Sequence, residues 1–239
     1  MWNAWPSSPS GEDDESTAGD RDESGRQRVR CQISVSLDGY VAGPDQSVEA
    51  PLGTGGEQLH EWVTSLAEWR RQHGLEGGEV TESTEVLEAA TAGIGATVMG
   101  RNMFGGHPGD WGDGSWRGWW GDEPPFHHPV FVVTHHPRET LELGDTTFEF
   151  VTDGVRAAVD RARDAAGGKD VAIGGGAETV RQAITSGLLD EMWLHVVPVL
   201  LGAGERLFPE GEAPAAVKQR AVIAAPGVTH LKLEFDSAP

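Results

Sequence analysis

The sequence predicts an α/β domain with a central, mostly parallel mixed sheet, helices on its faces and a C-terminal antiparallel hairpin. Three observations carry this reading. From Val29 onward, short apolar runs alternate with segments of helical period; several of those runs stop at glycine; and the last two, 217–224 and 229–235, follow one another with no helix between them. One domain over residues 29–239 is expected, because the chain length of 239 suits a single large core and no internal repeat is visible. Residues 1–28 stand apart: they are rich in Ser, Gly, Asp and Glu, with Trp2 and Trp5 as their sizeable apolar groups. Such a segment buries too little to offset its ordering entropy, so it reads as a disordered acidic tail.

Each element has its own signal. Residues 29–37 alternate as a strand and end at the turn dipeptide Asp38-Gly39. A glycine-rich loop leads to residues 57–72, where Leu59, Trp62, Val63, Leu66 and Trp69 share one helical stripe. A second helix over 84–91 precedes a buried strand at 96–99, which stops at Gly100. Residues 105–128 have no period and hold Trp111, Trp116, Trp119 and Trp120 among Gly, Asp and Pro. A long aperiodic loop inside a compact domain is usually a functional lid or unstructured, and the aromatics favour the lid. Strands at 129–134 and 147–151 follow, then a helix with Asp153 as N-cap and Val155, Ala158, Val159 and Ala162 facing inward. The pattern repeats as a strand at 170–173, the turn Gly174-Gly175-Gly176, a helix at 177–186, a strand at 191–197 and the loop Gly202-Ala203-Gly204.

Charge narrows the partners. The net charge is -20, and residues 1–28, with seven acids against three arginines, account for -4 of it, which leaves -16 on the domain. An acidic surface repels nucleic-acid phosphates and anionic membranes, so neither is expected as a partner. An anionic small molecule then needs a local cradle of N–H groups and cations. Cys31 is the single cysteine, which excludes an intrachain disulfide framework and a Cys-rich zinc site. No apolar run approaches the roughly 20 residues that span a bilayer, and the N-terminus is acidic, so a soluble cytoplasmic protein is the expectation.

The strongest local signal is the run from Val171 to Thr179, a strand that ends in three glycines and opens a helix. That arrangement presents unpaired N–H groups and the positive end of a helix dipole, with no side chain in the path of a diphosphate. The same glycines also serve an ordinary tight turn. In Met99-Gly100-Arg101-Asn102 the glycine lets backbone approach a phosphate while Arg101 offers a planar cation; an exposed arginine after a strand is the plain alternative. Thr134, His135, His136 and Arg138 follow a strand end, where open α/β sheets bind ligands, and together they suit a dianion. His127-His128 and His135-His136 raise the thought of a metal, but adjacent strand residues face opposite ways and no spaced carboxylate or thiolate completes a set, so no metal is expected.

Four stretches taken in order resemble the dihydrofolate reductase superfamily. They are residues 34–42 (SVSLDGYVA), 98–104 (VMGRNMF), 132–134 (VVT) and 173–176 (IGGG). They are most similar to the reductase domain of the bifunctional riboflavin-pathway deaminase-reductase and its free-standing relatives. The resemblance implies NADPH as cofactor. Val41 and Ala42 would then touch the nicotinamide carboxamide from a mobile loop. Gly100, Arg101 and Asn102, with Ile173, Gly174, Gly175, Gly176, Ala177, Glu178 and Thr179, would seat the diphosphate. Thr134, His135 and His136 would meet the adenosine ribose and its 2′-phosphate, and a cis peptide is implied between Gly174 and Gly175.

The implied reaction passes a hydride to a small heterocyclic, carbonyl or imine substrate, pteridine-like or ribosylamino-pyrimidine-like. A nucleotide-binding or sensor protein without turnover is the alternative, and a flavin or deazaflavin fits the same kind of cleft. For proton delivery the candidates are Asp38 and the first-helix carboxylate Glu61, with Glu57 and His60 beside it; a turn and a solvated helix face are the competing readings. Trp62, Trp116 and Trp119 are the candidates to face substrate, although tryptophans in such a segment also serve as packing anchors or as a homodimer contact.

Overall fold

A computed structural model describes residues 26–105, 109–209, 211 and 216–236. The expectation of a disordered tail falls, for residues 1–25, outside the described residues. The tail does not extend to residue 28, however. Gln27 Nε2 donates to the carbonyls of Arg163 and Lys169, and the Arg28 backbone N–H donates to Asp170, so charge pairing and hydrogen bonds fasten 26–28 to the domain.

In chain order the elements are β1 (Val29–Ser36), β2 (Tyr40–Ala42), a 3-10 turn (Gly56–His60), α1 (Glu61–Thr64), α2 (Ala67–Gln72), α3 (Glu82–Thr91), β3 (Ile94–Gly100) and α4 (Arg101–Phe104). They continue as β4 (Val130–Val133), β5 (Leu141–Leu143), β6 (Thr146–Val151), α5 (Gly154–Ala165), β7 (Asp170–Gly175), α6 (Ala177–Thr185), β8 (Glu191–Val197), β9 (Glu205–Arg206), β10 (Val217–Ala225) and β11 (Val228–Phe235). Nine strands form one sheet in the order β10-β11-β8-β1-β7-β3-β4-β6-β5, while β2 and β9 pair separately. The central strands are parallel, and the two edges are antiparallel: β10-β11-β8 on one side and β5-β6 on the other.

Strand alternation divides the core into two layers. Val29, Cys31, Val35, Ala96, Val98 and Ile173 pack under α5 and α6, where Val155, Ala158, Val159, Ala162, Val180 and Ala183 supply the helical stripes. On the opposite face Met99, Phe104, Phe126, Val130, Val132 and Phe148 form one cluster, and Leu59, Trp62, Val63, Leu66, Trp69 and Leu87 another. Burial pushes the Cys31 thiol up to about 12, which leaves it a small apolar group rather than a nucleophile.

Three expectations about elements are corrected. The helix over 57–72 is three short pieces, because Leu66 is extended (ψ 136°) and bridges Glu79; the apolar stripe is nevertheless buried as its spacing predicts. Asp153 occupies the N-cap position of α5 as expected, but its side chain makes no capping hydrogen bond and instead pairs with Arg161 at 2.9 Å. Finally β7 runs on through Gly175, paired with Met99, so the turn starts later than 173 and the cis peptide lies between Gly175 and Gly176, not between Gly174 and Gly175.

Candidate cofactor and substrate cavity

A cavity of about 790 Å3 opens at the finishing ends of the parallel strands. One half is glycine-walled. There β7 delivers Gly174, Gly175 and Gly176 to the N-terminus of α6, and a Cβ placed on Gly176 would meet nothing within 4 Å, so the missing side chain leaves open space. Opposite, β3 ends at Gly100, where a Cβ would overlap Thr179 Oγ1; only glycine allows this close approach of strand to helix. The first-turn N–H groups of α6 have no acceptor within their own helix, and with the helix dipole they make this half a seat for an anion.

All the expected cofactor residues line the cavity except Ile173, which is fully buried: Val41, Ala42, Gly100, Arg101, Asn102, Thr134, His135, His136, Gly174, Gly175, Gly176, Ala177, Glu178 and Thr179. Their cations and acids are partly committed. The Arg101 guanidinium lies 3.5 Å over the Trp111 ring and donates to the Gly105 carbonyl, and burial followed by the neighbouring Arg138 charge lowers its pKa. Glu178 does not reach across the seat; it is held by Arg181 Nη2 at 2.5 Å and Gln182 Nε2 at 2.7 Å, and these hydrogen bonds hold its carboxyl below the usual range. Thr134 Oγ1 accepts from the His136 backbone N–H at 3.1 Å, fixing the turn that presents His135 and His136.

The loop over 109–128 corrects the lid reading in part. Trp111 Nε1 donates to His136 O, Trp116 Nε1 to Phe104 O and Trp119 Nε1 to Met103 O, while Trp120 packs against Phe126 and Phe148. These are anchors to the body of the domain. Trp119 and Trp120 line the cavity, but Trp116 does not. Arg138 also lies off the cavity, stacked on Trp111 and Phe150 and donating to Gly114 O at 2.8 Å.

Neither expected catalytic carboxylate faces the cavity. Asp38 accepts from Ser36 Oγ and from the backbone N–H groups of Leu201 and Gly202, at 2.5, 3.1 and 2.7 Å. Those hydrogen bonds, the serine first, hold its pKa at about 2, so it staples the turn after β1 to the loop after β8. Glu61 is exposed, because the chain turns at His60 and sends His60 and Trp62 inward instead. Among the described residues no group of three His, Cys, Asp or Glu is placed to hold a metal ion.

The second half of the cavity contains residues that sequence reasoning missed. These are Gln32, Ser34 and His195, which line it beside the already named His60 and Trp62. Trp62, expected to face substrate, is a wall of the cavity: its Nε1 donates to Ser34 Oγ at 3.1 Å and its ring sits 4.8 Å from that of His195. His195 is 2% exposed, and its Nδ1 lies 2.8 Å from Nδ1 of the fully buried His230. Burial pushes His60 and His230 down to about 4, and burial followed by the charge of His230 pushes His195 further down, so all three are neutral near pH 7. A histidine inside each of two strand runs, 191–197 and 228–235, was the available signal.

The RibD C-terminal domain family model matches residues 27–232. Among solved structures, a putative riboflavin biosynthesis protein from Shewanella sp. PV-4 superposes with a TM-score of 0.58 at 22% identity, over 88% of this chain and 99% of that one. A diaminohydroxyphosphoribosylaminopyrimidine deaminase/5-amino-6-(5-phosphoribosylamino)uracil reductase from Thermotoga maritima superposes with a TM-score of 0.54 at 12% identity, over 89% of this chain and 58% of that one. At these identities the likeness bears on the fold, and the chain spans little more than half of the Thermotoga protein. No curated protein matches. The fold is the dihydrofolate reductase-like one expected, with a cavity at the strand ends, and with a match over residues 27–232 the chain belongs to the RibD C-terminal domain family, a family of reductase domains.

Proposed function

We propose that this chain is an NADPH-dependent oxidoreductase that passes a hydride to a small planar substrate, heterocyclic or bearing a carbonyl or imine, of the pteridine-like or ribosylamino-pyrimidine-like kind. The observation that carries it is the glycine-walled seat between Gly100 and Gly174–Gly176 at the N-terminus of α6, inside a cavity of about 790 Å3. A diphosphate fits there because no Cβ occupies the space beside Gly176 and helix N–H groups face it. Arg101, Thr134, His135 and His136 would meet the 2′-phosphate, and Val41 and Ala42 the carboxamide end. NADPH supplies the hydride when bound. The protein's part is to orient the two rings, exclude water with Trp119 and Trp120, and hold the acceptor's polar edge. The acidic surface supports a small-molecule partner rather than nucleic acid or membrane, and among the described residues no helix is long and apolar enough to cross a bilayer. Exposed Leu37, Leu200 and Phe208 support a homodimer through the loops beside β1 and β8, which light scattering would test.

Titration calorimetry with NADPH and NADH tests the cofactor, and loss of 340 nm absorbance with dihydropteridines, ketones and ribosylamino-pyrimidines tests turnover. Charge-assisted contacts to the extra phosphate are each worth roughly 1.5–3 kcal/mol, so NADPH should bind at least tenfold tighter; equal affinities would refute the preference. One observation favours a second reading. The carboxylates expected to deliver a proton are exposed or stapled away from the cavity, as a nucleotide-binding protein without turnover would allow. NADPH binding with no oxidation across the substrate panel would select it.

A further inference from the structure

Three strands carry one polar row beneath Trp62. Ser34 on β1 is the register partner of His195 on β8, and His195 is the register partner of His230 on β11. The row lies in a layer otherwise filled by Leu59, Val63, Leu66 and Val197. The Trp62 ring roofs it, with centroids 4.8 Å from His195 and 5.0 Å from His230. At the far end His230 Nε2 lies 2.9 Å from Oγ of the buried Ser83, near the start of α3. At the near end His195 Nε2 is buried with no partner among the described residues, on a residue that lines the cavity. Ser34 Oγ, which also belongs to a lining residue, accepts from Trp62, and among the described residues nothing receives its proton. A buried polar atom left unpaired costs about 1–3 kcal/mol, so a buried nitrogen without a partner on a residue that lines a cavity marks a place where a bound ligand completes the bonding.

Hydrogen bookkeeping fixes what that place can accept. Both imidazoles are neutral, and one proton serves the pair of facing Nδ1 atoms. If His195 supplies it, His230 carries its own proton on Nε2 and donates to Ser83, and His195 Nε2 is an acceptor. If His230 supplies it, Ser83 donates to His230 Nε2, and His195 Nε2 is a donor. The two histidines are therefore always in opposite tautomers, and which of the two arrangements is present sets whether His195 Nε2 accepts or donates. The Ser34 hydroxyl is likewise able to donate or accept.

We propose that His195 Nε2 and Ser34 Oγ together bind the substrate's polar edge, a lactam-type edge in which a ring N–H stands next to a carbonyl, with His230 and Ser83 as positioning residues that set the tautomer. Trp62 supplies the apolar wall beside this edge. The proposal deepens the reductase reading and rests on it for which half of the cavity is left to substrate.

The test uses the full chain with 15N-labelled histidine rings and uracil as probe, which carries two lactam edges, against 1,3-dimethyluracil, which has the carbonyls without the N–H groups. Ring nitrogen shifts should show His195 and His230 neutral and in opposite tautomers at pH 7. Uracil should move His195 Nε2 saturably and bind at least tenfold more tightly than the dimethyl compound. His195→Phe and Ser34→Ala should each weaken uracil at least tenfold while NADPH affinity stays within twofold, and His195→Gln, which keeps one donor and one acceptor, should recover part of the loss. Should His195→Phe fail to fold, the wild-type shifts and His195→Gln still decide. Identical tautomers, uracil binding that leaves Nε2 unmoved, or no uracil binding up to its solubility would each overturn the proposal. Failure of NADPH to bind would instead sink the reductase reading and leave the His195 result standing.

Discussion

The two ends of the parallel strands are built on opposite rules. Where β1, β7 and β8 start, charges are gathered and paired: Arg28 and Arg30 meet Asp170 and Glu191 at 3.2–3.5 Å, Lys232 lies 3.3 Å from Glu191, and Arg26 pairs with Asp190. Asp190 also accepts from the Val29 backbone N–H, and Arg30 donates to the carbonyls of Ala89 and Ala92. Where the same strands finish, the wall is glycine, neutral histidine and a nitrogen of His195 that has no partner among the described residues. The first end closes most of its bonding within the protein, with Arg30 Nε held only by a 3.4 Å charge contact to Glu191, whereas the second leaves a neutral nitrogen, His195 Nε2, with no partner among the described residues. A sheet of this kind places stability at one end and ligand chemistry at the other, because atoms that must bind something else cannot also be satisfied internally.

The sharpest way to break this comparison is to remove a charge at the starting end. Glu191→Ala leaves Arg28, Arg30 and Lys232 short of a partner, and stripping one member from a buried ion network costs about 3–5 kcal/mol. Denaturant unfolding should show that loss, while NADPH affinity of the folded fraction holds within twofold. Unchanged stability would mean that the network is ornamental and the contrast between the ends false.

Acid should act on the other end. An unfolded histidine takes a proton below about pH 6.5, whereas fully buried His230 stays neutral to about 4, so between those values the unfolded state binds more protons and stability falls as pH falls. His230 alone accounts for up to about 3 kcal/mol across that window, and above pH 6.5 its contribution is flat. Thermal melts from pH 7 to 4 should show the decline, and His230→Phe should flatten it. A melting temperature independent of pH over that range would contradict the neutral assignment.

How much of this was legible follows from how local each feature is. The glycine seat was readable because three consecutive glycines between an apolar run and a helical period state their own geometry, down to a two-residue error in where the strand stops and a one-residue error in the cis peptide. The terminal hairpin was readable for the same reason. The break in the first helix was not, since it depends on Leu66 meeting Glu79 across a turn. Asp38 read as a possible acid because its partners, Leu201 and Gly202, stand more than 160 residues away. The His195–His230 pair needed the register of β8 against β11, which no periodicity encodes.

Adjacent glycines offer a finer test of the seat. Gly175 has φ of +124°, so Gly175→Val strains the backbone, at a cost of roughly 1–3 kcal/mol, and should lower stability and binding together. Gly176 has φ of -70° and open space at its Cβ, so Gly176→Val should weaken NADPH at least tenfold, about 1.4 kcal/mol, with a smaller loss of stability than its neighbour. Retained affinity in the Gly176 variant would move the diphosphate out of this turn.

The smallest expected effect separates anchors from cavity walls within the tryptophan segment. Trp116 and Trp119 are matched: each donates its Nε1 to a carbonyl of α4, at 3.0 and 2.9 Å, and their rings meet edge to face at 4.7 Å. Only Trp119 lines the cavity, and a Cβ on Gly105 would overlap its indole. Trp116→Phe keeps a ring in place and removes the donor, so it should cost about 1 kcal/mol of stability and leave NADPH and substrate affinities within twofold. Trp119→Phe loses the same donor and also reshapes the wall, so ligand affinity should fall with stability. Paired denaturation and calorimetry on the two variants decide the matter. If Trp116→Phe leaves stability intact and weakens the ligand instead, its hydrogen bond to Phe104 is incidental and the segment closes over the substrate as a lid.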